Sequence, residues 1–89
     1  MGMGKNGTVQ TSATGANWVA LTAQACNQVT ISNDTGTDLQ VKDATGNAFT
    51  VFASTYFPFF GIRDASDLSV RRKDQSNTQV TASYRAEDV

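Results

Sequence analysis

The chain has 89 residues, 39% of them hydrophobic and 17% charged, a length that builds one thin core and not two domains. Seven Lys and Arg against eight Asp and Glu leave a net charge of −1, without the basic excess that sequence-independent nucleic-acid binding requires. With no His and one Cys, Cys26, a single copy can assemble neither an imidazole-dependent nucleophile, nor a Cys/His zinc site, nor an internal disulfide.

Residues 1–16, MGMGKNGTVQTSATGA, hold four of the seven glycines and few apolar residues, so they read as a flexible N-terminal arm. Thr8 to Thr11 could add a strand to an available sheet edge. The arm has no apolar run of the length a signal peptide needs, and no window approaches the roughly 18 apolar residues of a membrane span. The expectation is therefore a chain with neither export signal nor membrane contact.

Residues 17–89 read as one all-β domain. Short runs rich in Val, Ile, Thr and Phe are separated by turn residues about every ten positions, the pattern of an antiparallel sandwich or barrel of six to eight short strands. Trp18, beside Val19 and Leu21, is placed in the core. Val29 and Ile31, Leu39 and Val41, Phe49 and Val51, Leu68 and Val70, then Val80, Ala82 and Tyr84 alternate with polar neighbours, so each set shares one strand face. Cys26 reads as a small buried hydrophobe.

Two turns of similar composition, Asn33-Asp34-Thr35-Gly36 and Asp43-Ala44-Thr45-Gly46, predict consecutive hairpins, with Gly in the left-handed position. Ile62 to Ser66 is expected to form one 3₁₀ turn. Asp74 to Asn77 marks the turn before the last strand. Alternation puts Arg72 on an inward row, where its guanidinium needs a carboxylate such as Asp74 or Asp64.

Tyr56-Phe57-Pro58-Phe59-Phe60 concentrates four aromatic rings in five residues. Tyr56 and Phe60 fall on one face and Phe57 and Phe59 on the other, while Pro58 argues for an edge strand or a bulge. An edge strand with two aromatic faces needs outside cover. Phe52 joins the same patch if the strand before Ser54 pairs with this one. Met3, Lys5, Val9, Phe52, Tyr56, Phe57, Phe59 and Phe60 are accordingly the candidate subunit contacts.

Asp34-Thr35-Gly36 matches the core triplet of aspartic proteases, whose retroviral form is a homodimer of about this length. Ser32-Asn33 stand where that loop has apolar residues, and Phe60-Gly61-Ile62-Arg63 is a poor match to its supporting segment, so a turn accounts for these residues better. Asn33, Asp34 and Asp38 supply too few oxygens for a calcium loop. No cofactor or metal is expected.

The stretch from Val29 to Val41, followed by Tyr56-Phe57, Phe60-Gly61-Ile62 and Leu68 to Arg72, resembles small virion proteins of tailed bacteriophages, in particular capsid decoration or cement proteins. The resemblance covers about residues 17 to 85. It implies a β-sandwich or jelly-roll-like domain, a dimeric or trimeric assembly, and a place on the outer capsid surface where major capsid subunits meet. It carries no catalytic signature. The other reading of the residues is a phage tail or fibre module that binds a host-surface glycan, with Trp18 or Tyr56 as stacking platform.

Overall fold

The computed structural model describes residues 4–88 and consists of eight antiparallel strands. These are β1 (Gly4–Gln10), β2 (Val19–Ala20), β3 (Gln28–Asn33), β4 (Leu39–Lys42), β5 (Ala48–Val51), β6 (Thr55–Phe60), β7 (Ser69–Arg72) and β8 (Thr81–Glu87), with one 3₁₀ turn at Ala65–Asp67 before β7. Two four-stranded sheets face each other, in the orders β1-β8-β3-β6 and β2-β7-β4-β5. The chain crosses between sheets at most connections, and this order is that of a jelly roll. The all-β sandwich expected from the alternating runs is the observed architecture.

The core lies between the sheets. Val29 and Ile31 on β3, Leu39 and Val41 on β4, Val51 on β5, Leu68 and Val70 leading into and on β7, and Ala82, Tyr84 and Ala86 on β8 are all buried. Each large aliphatic side chain there contributes about 1.5–3 kcal/mol through removal from water.

The two similar turns do different jobs. Asp43 to Gly46 closes the β4–β5 hairpin, with Gly46 at φ +88° and the Asp43 carboxylate accepting from the Thr45 N–H and hydroxyl. Asn33 to Gly36 instead carries the chain from one sheet to the other, so the predicted first hairpin is an arch. Its cause is the Asn33 side chain, which is buried and whose amide donates to the carbonyls of Thr37 and Val51, both at 2.8 Å. Its Oδ1 accepts from the Thr35 N–H and hydroxyl, so all its polar capacity is used while it joins β3 to the end of β5.

Residues 4–16, expected as an arm outside the domain, belong to it. All seven residues of β1 pair with β8, Val9 enters the core, and the buried Thr11 accepts through its hydroxyl from the Val80 N–H. The Gly15 N–H then donates to Asn77 Oδ1. An edge strand is held largely by its main-chain ladder, and therefore needs little of the apolar alternation that marks the other strands. The 3₁₀ turn sits slightly later than expected, started by Asp64, whose carboxylate accepts from the Ser66 N–H.

Pro58 fixes the direction of the main-chain groups across the β1-β8-β3-β6 sheet. It faces Thr30, and lacking an N–H it fits only where its nitrogen points off the ladder. Phe57 and Phe59 therefore bond β3, and Tyr56, Pro58 and Phe60 turn their main-chain groups to the open edge. Alternation through the register then makes Lys5, Gly7 and Val9 the β1 residues that bond β8, with Gly4, Asn6, Thr8 and Gln10 turned outward. The bond from Thr11 N–H to the Val80 carbonyl has the same parity.

Candidate functional site

The side of the sandwich formed by the edge strands β5 and β6 carries the site. Phe57 and Phe59 lie opposite Ile31 and Val29, and Phe49 lies opposite Val41, so all three point inward. At the rim of the sandwich they meet one another. The Phe49 and Phe57 centroids are 4.4 Å apart with rings tilted by 38°, Phe57 and Phe59 are 5.1 Å apart, and Phe49 and Phe59 pack edge-to-face at 6.1 Å. These are favourable aromatic geometries. Phe59 is the best covered of the three and packs against the core.

The remaining rings flank this seam. Tyr56 and Phe60 lie opposite Ser32 and Gln28 on the outer face of the β1-β8-β3-β6 sheet. Phe52 stands in the β5–β6 connection, with the Lys73 ammonium 5.7 Å from its ring centre. Exposure reaches 71% for Tyr56, 66% for Phe60, 58% for Phe52, 47% for Phe49 and 37% for Phe57. With a ring side chain presenting roughly 150–250 Å², these portions sum to roughly 400–700 Å². Spread over the rim and the outer face of β6, this is about as much apolar surface as the largest single patch of an ordinary monomer, about 300–600 Å², and somewhat less than the roughly 800 Å² that one partner commits to a standard interface.

The predicted contact residues are thus divided. Tyr56, Phe57, Phe59 and Phe60 occupy this flank on the two faces that alternation assigned, and Pro58 is on an edge strand. Phe52 is beside them through the chain turn and not through strand pairing, since β5 pairs with β4 and belongs to the other sheet. Phe49 completes the seam and is absent from the sequence-derived set; its shared row with Val51 was readable, its edge position was not. Lys5 is exposed on the opposite flank, at the β1 edge, and Val9 is buried inside the domain. Met3 lies outside the described residues.

Trp18 is not a core residue. Val19 takes the inward position opposite Val70, which turns Trp18 outward, where its half-buried ring packs against the Arg71 guanidinium at 4.3 Å and the Lys42 ammonium at 4.9 Å. Arg71 is fixed in turn by Gln40 Oε1 and the Ala16 carbonyl. Arg72 does lie at the core rim, with Nε and Nη2 donating to the two Asp74 carboxylate oxygens at 2.9 and 2.8 Å. That pairing, with the Ser76 N–H, holds the Asp74 carboxyl below its ordinary range.

Cys26 is buried, and burial, then the nearby Asp64 carboxylate, pushes its thiol upward, which disfavours the thiolate. Asp34 is an exposed member of the β3–β4 arch. Asp38 accepts from the Ala53 N–H and so closes the β5–β6 connection. The chemistry available on the flank is the removal of aromatic surface from water.

No protein-family model, curated protein or solved structure matches this chain.

Proposed function

We propose that this chain is a structural virion protein that decorates a bacteriophage capsid, sitting on its outer surface and bridging major capsid subunits. The supporting observation is the exposed aromatic flank of β5 and β6. A folded domain this small gains nothing in isolation from leaving five large rings in water, whereas a partner surface would cover them and fix the domain in place. The resemblance of residues 17 to 85 to decoration proteins is the support for a capsid as partner, and the jelly roll is compatible with it, since that fold serves viral shells and lectins alike. Such a role needs repeated contacts acting together over a lattice and no reaction.

Co-sedimentation with expanded empty capsids of the encoding phage tests the proposal. The wild-type chain is expected to pellet with the shells, and Phe52→Ser/Phe60→Ser to stay in the supernatant while remaining folded, because both rings are already largely exposed. Equal pelleting of the two chains, or no pelleting of the wild type, refutes it.

The glycan-binding reading has one observation in its favour. Tyr56 stands beside Ser32 at the margin of a shallow trough of about 620 Å³, lined in part by Thr30, Ser32, Ser83, Arg85 and Glu87. Within it Arg85 donates to Asn6 Oδ1 at 2.9 Å. Retention on a glycan array that Tyr56→Ala abolishes, without shell binding, would select that reading instead.

A further inference from the structure

The β1 side of the sandwich ends in a different kind of edge. Gly4, Asn6, Thr8 and Gln10 direct their N–H and C=O groups away from β8, and no hydrogen bond to these groups is seen among the described residues. The strand is seven residues long and contains no proline. Such a row is a template for another strand.

We infer that β1 is completed by β1 of a second copy, running antiparallel about a two-fold axis through Gly7. In that register Gly4 faces Gln10 and Asn6 faces Thr8 of the partner copy. Every outward-directed residue thereby meets another, and each pair exchanges two main-chain hydrogen bonds. The axis falls on a non-bonded pair, where Cα atoms come within about 4.5 Å and side chains crowd. Gly7 has none to crowd. Within its own sheet a Cβ on Gly7 would lie 2.5 Å from Tyr84 Cζ, so a larger residue there would have to displace that ring.

The inward row points to a second copy over an arbitrary extended chain. Lys5 is an inward charge on an edge strand, a feature that discourages indiscriminate pairing. About the Gly7 axis it meets Val9 of the partner copy, whereas an axis through Lys5 itself would oppose two ammonium groups. A gap of about 410 Å³ runs beside the strand, lined by residues that include Lys5, Gly7, Thr22 and Gln24, so nothing of the domain itself covers this stretch of the edge.

Pairing of this kind makes one continuous eight-stranded sheet and leaves an aromatic flank free at each end. On the decoration reading, on which this consequence rests, the dimer is a two-headed clamp whose heads reinforce each other by avidity.

Sedimentation equilibrium of the full chain over a range of concentrations tests the pairing. The wild type is expected to form dimers, as is Phe52→Ser/Phe60→Ser. Thr8→Pro removes an outward N–H on each copy, as Pro58 does on β6, and is expected to weaken dimerisation on the order of 10- to 100-fold with an unchanged circular dichroism spectrum. Mixed Asn6→Cys and Thr8→Cys chains are expected to give a disulfide-linked dimer on oxidation, and neither chain alone. That cross-link decides the register even if Thr8→Pro fails to fold.

A wild type that stays monomeric, a folded Thr8→Pro that dimerises undiminished, or cross-linking of Asn6→Cys with itself overturns the inference. The two proposals fail separately. A monomer that still pellets with capsids removes only the β1 pairing, and a dimer that does not pellet removes only the decoration role.

Discussion

Along the β5–β6 side, the sandwich is closed by rings, and Pro58 deletes a donor from the middle of the exposed ladder. Along the β1 side there are two glycines, one inward lysine and four residues with outward main-chain groups. The first edge gains cover chiefly through side chains, the second chiefly through hydrogen bonds. The contrast shows how one small fold can manage its two open sides separately. Proline and aromatics make one side resistant to strand addition and suited to a shaped apolar surface, while the other is suited to a strand of matching register.

The sharpest way to break this contrast is to move proline by one residue. Val9 directs its N–H at β8 and packs in the core, so Val9→Pro is expected to cost about 3 kcal/mol or more, a large part of the stability of a domain this size. Thr8→Pro, next to it, is expected to cost under about 1 kcal/mol in the dilute chain. Urea unfolding of the two variants makes the comparison; equal losses would mean that the main-chain parity assigned to β1 is wrong.

A smaller effect is expected at the corner that supports the aromatic side. Asn33→Ala leaves the Thr37 and Val51 carbonyls without their shared donor and should cost about 2–3 kcal/mol. Asn47→Ala, in the exposed hairpin turn where the Asn47 amide donates to Thr45 Oγ1, should stay within about 0.5 kcal/mol. Thermal or urea midpoints separating these two variants would sharpen the distinction between arch and hairpin.

The smallest expected effect is acid sensitivity. Hydrogen bonds from Ser66 and Gln24 hold the Asp64 carboxyl below its ordinary range, and those from Arg72 and Ser76 do the same for Asp74. A carboxyl lowered in the folded state stabilises above its unfolded pKa, and that contribution is lost as pH falls from there through the folded pKa. Both groups anchor loops on the β1–β2 side, Asp64 through the Gln24 N–H and Asp74 through the turn against which Gly15 packs. The Asp43 carboxyl is lowered likewise, first by the Thr45 hydroxyl, but through bonds within its own exposed turn, so hydrogen exchange in the acid range should show residues 15–25 losing protection before β6. Asp64→Asn/Asp74→Asn should flatten the decline, and simultaneous loss on both sides would contradict the assignment.

Much of this was readable from the residues because strand alternation is local. Val29 with Ile31, Leu39 with Val41 and the inward Arg72 follow from period two alone, and Pro58 announced an edge. What escaped depended on partners far along the chain. Asn33-Asp34-Thr35-Gly36 looks like Asp43 to Gly46, and only the reach of the Asn33 amide to Val51 makes one an arch and the other a hairpin. β1 is held mainly by main-chain bonds to the far end of the chain, which leave little trace in side-chain pattern. Trp18 was misplaced because an indole beside Val19 and Leu21 suggests burial, while the parity of a two-residue strand turns it out. Of the aromatic site, Tyr56 to Phe60 was legible as a unit; Phe49 joins it only because β5 is also an edge.

Trp18 offers an optical handle on the folded chain. It is the sole tryptophan, and its indole packs against the side chains of Arg71 and Lys42 on the face away from the core. Its fluorescence colour and quenching should report on whether β2 stays seated against β7. The rings that would meet a shell are all phenylalanine and tyrosine, so selective excitation of the indole would follow unfolding without a direct signal from docking.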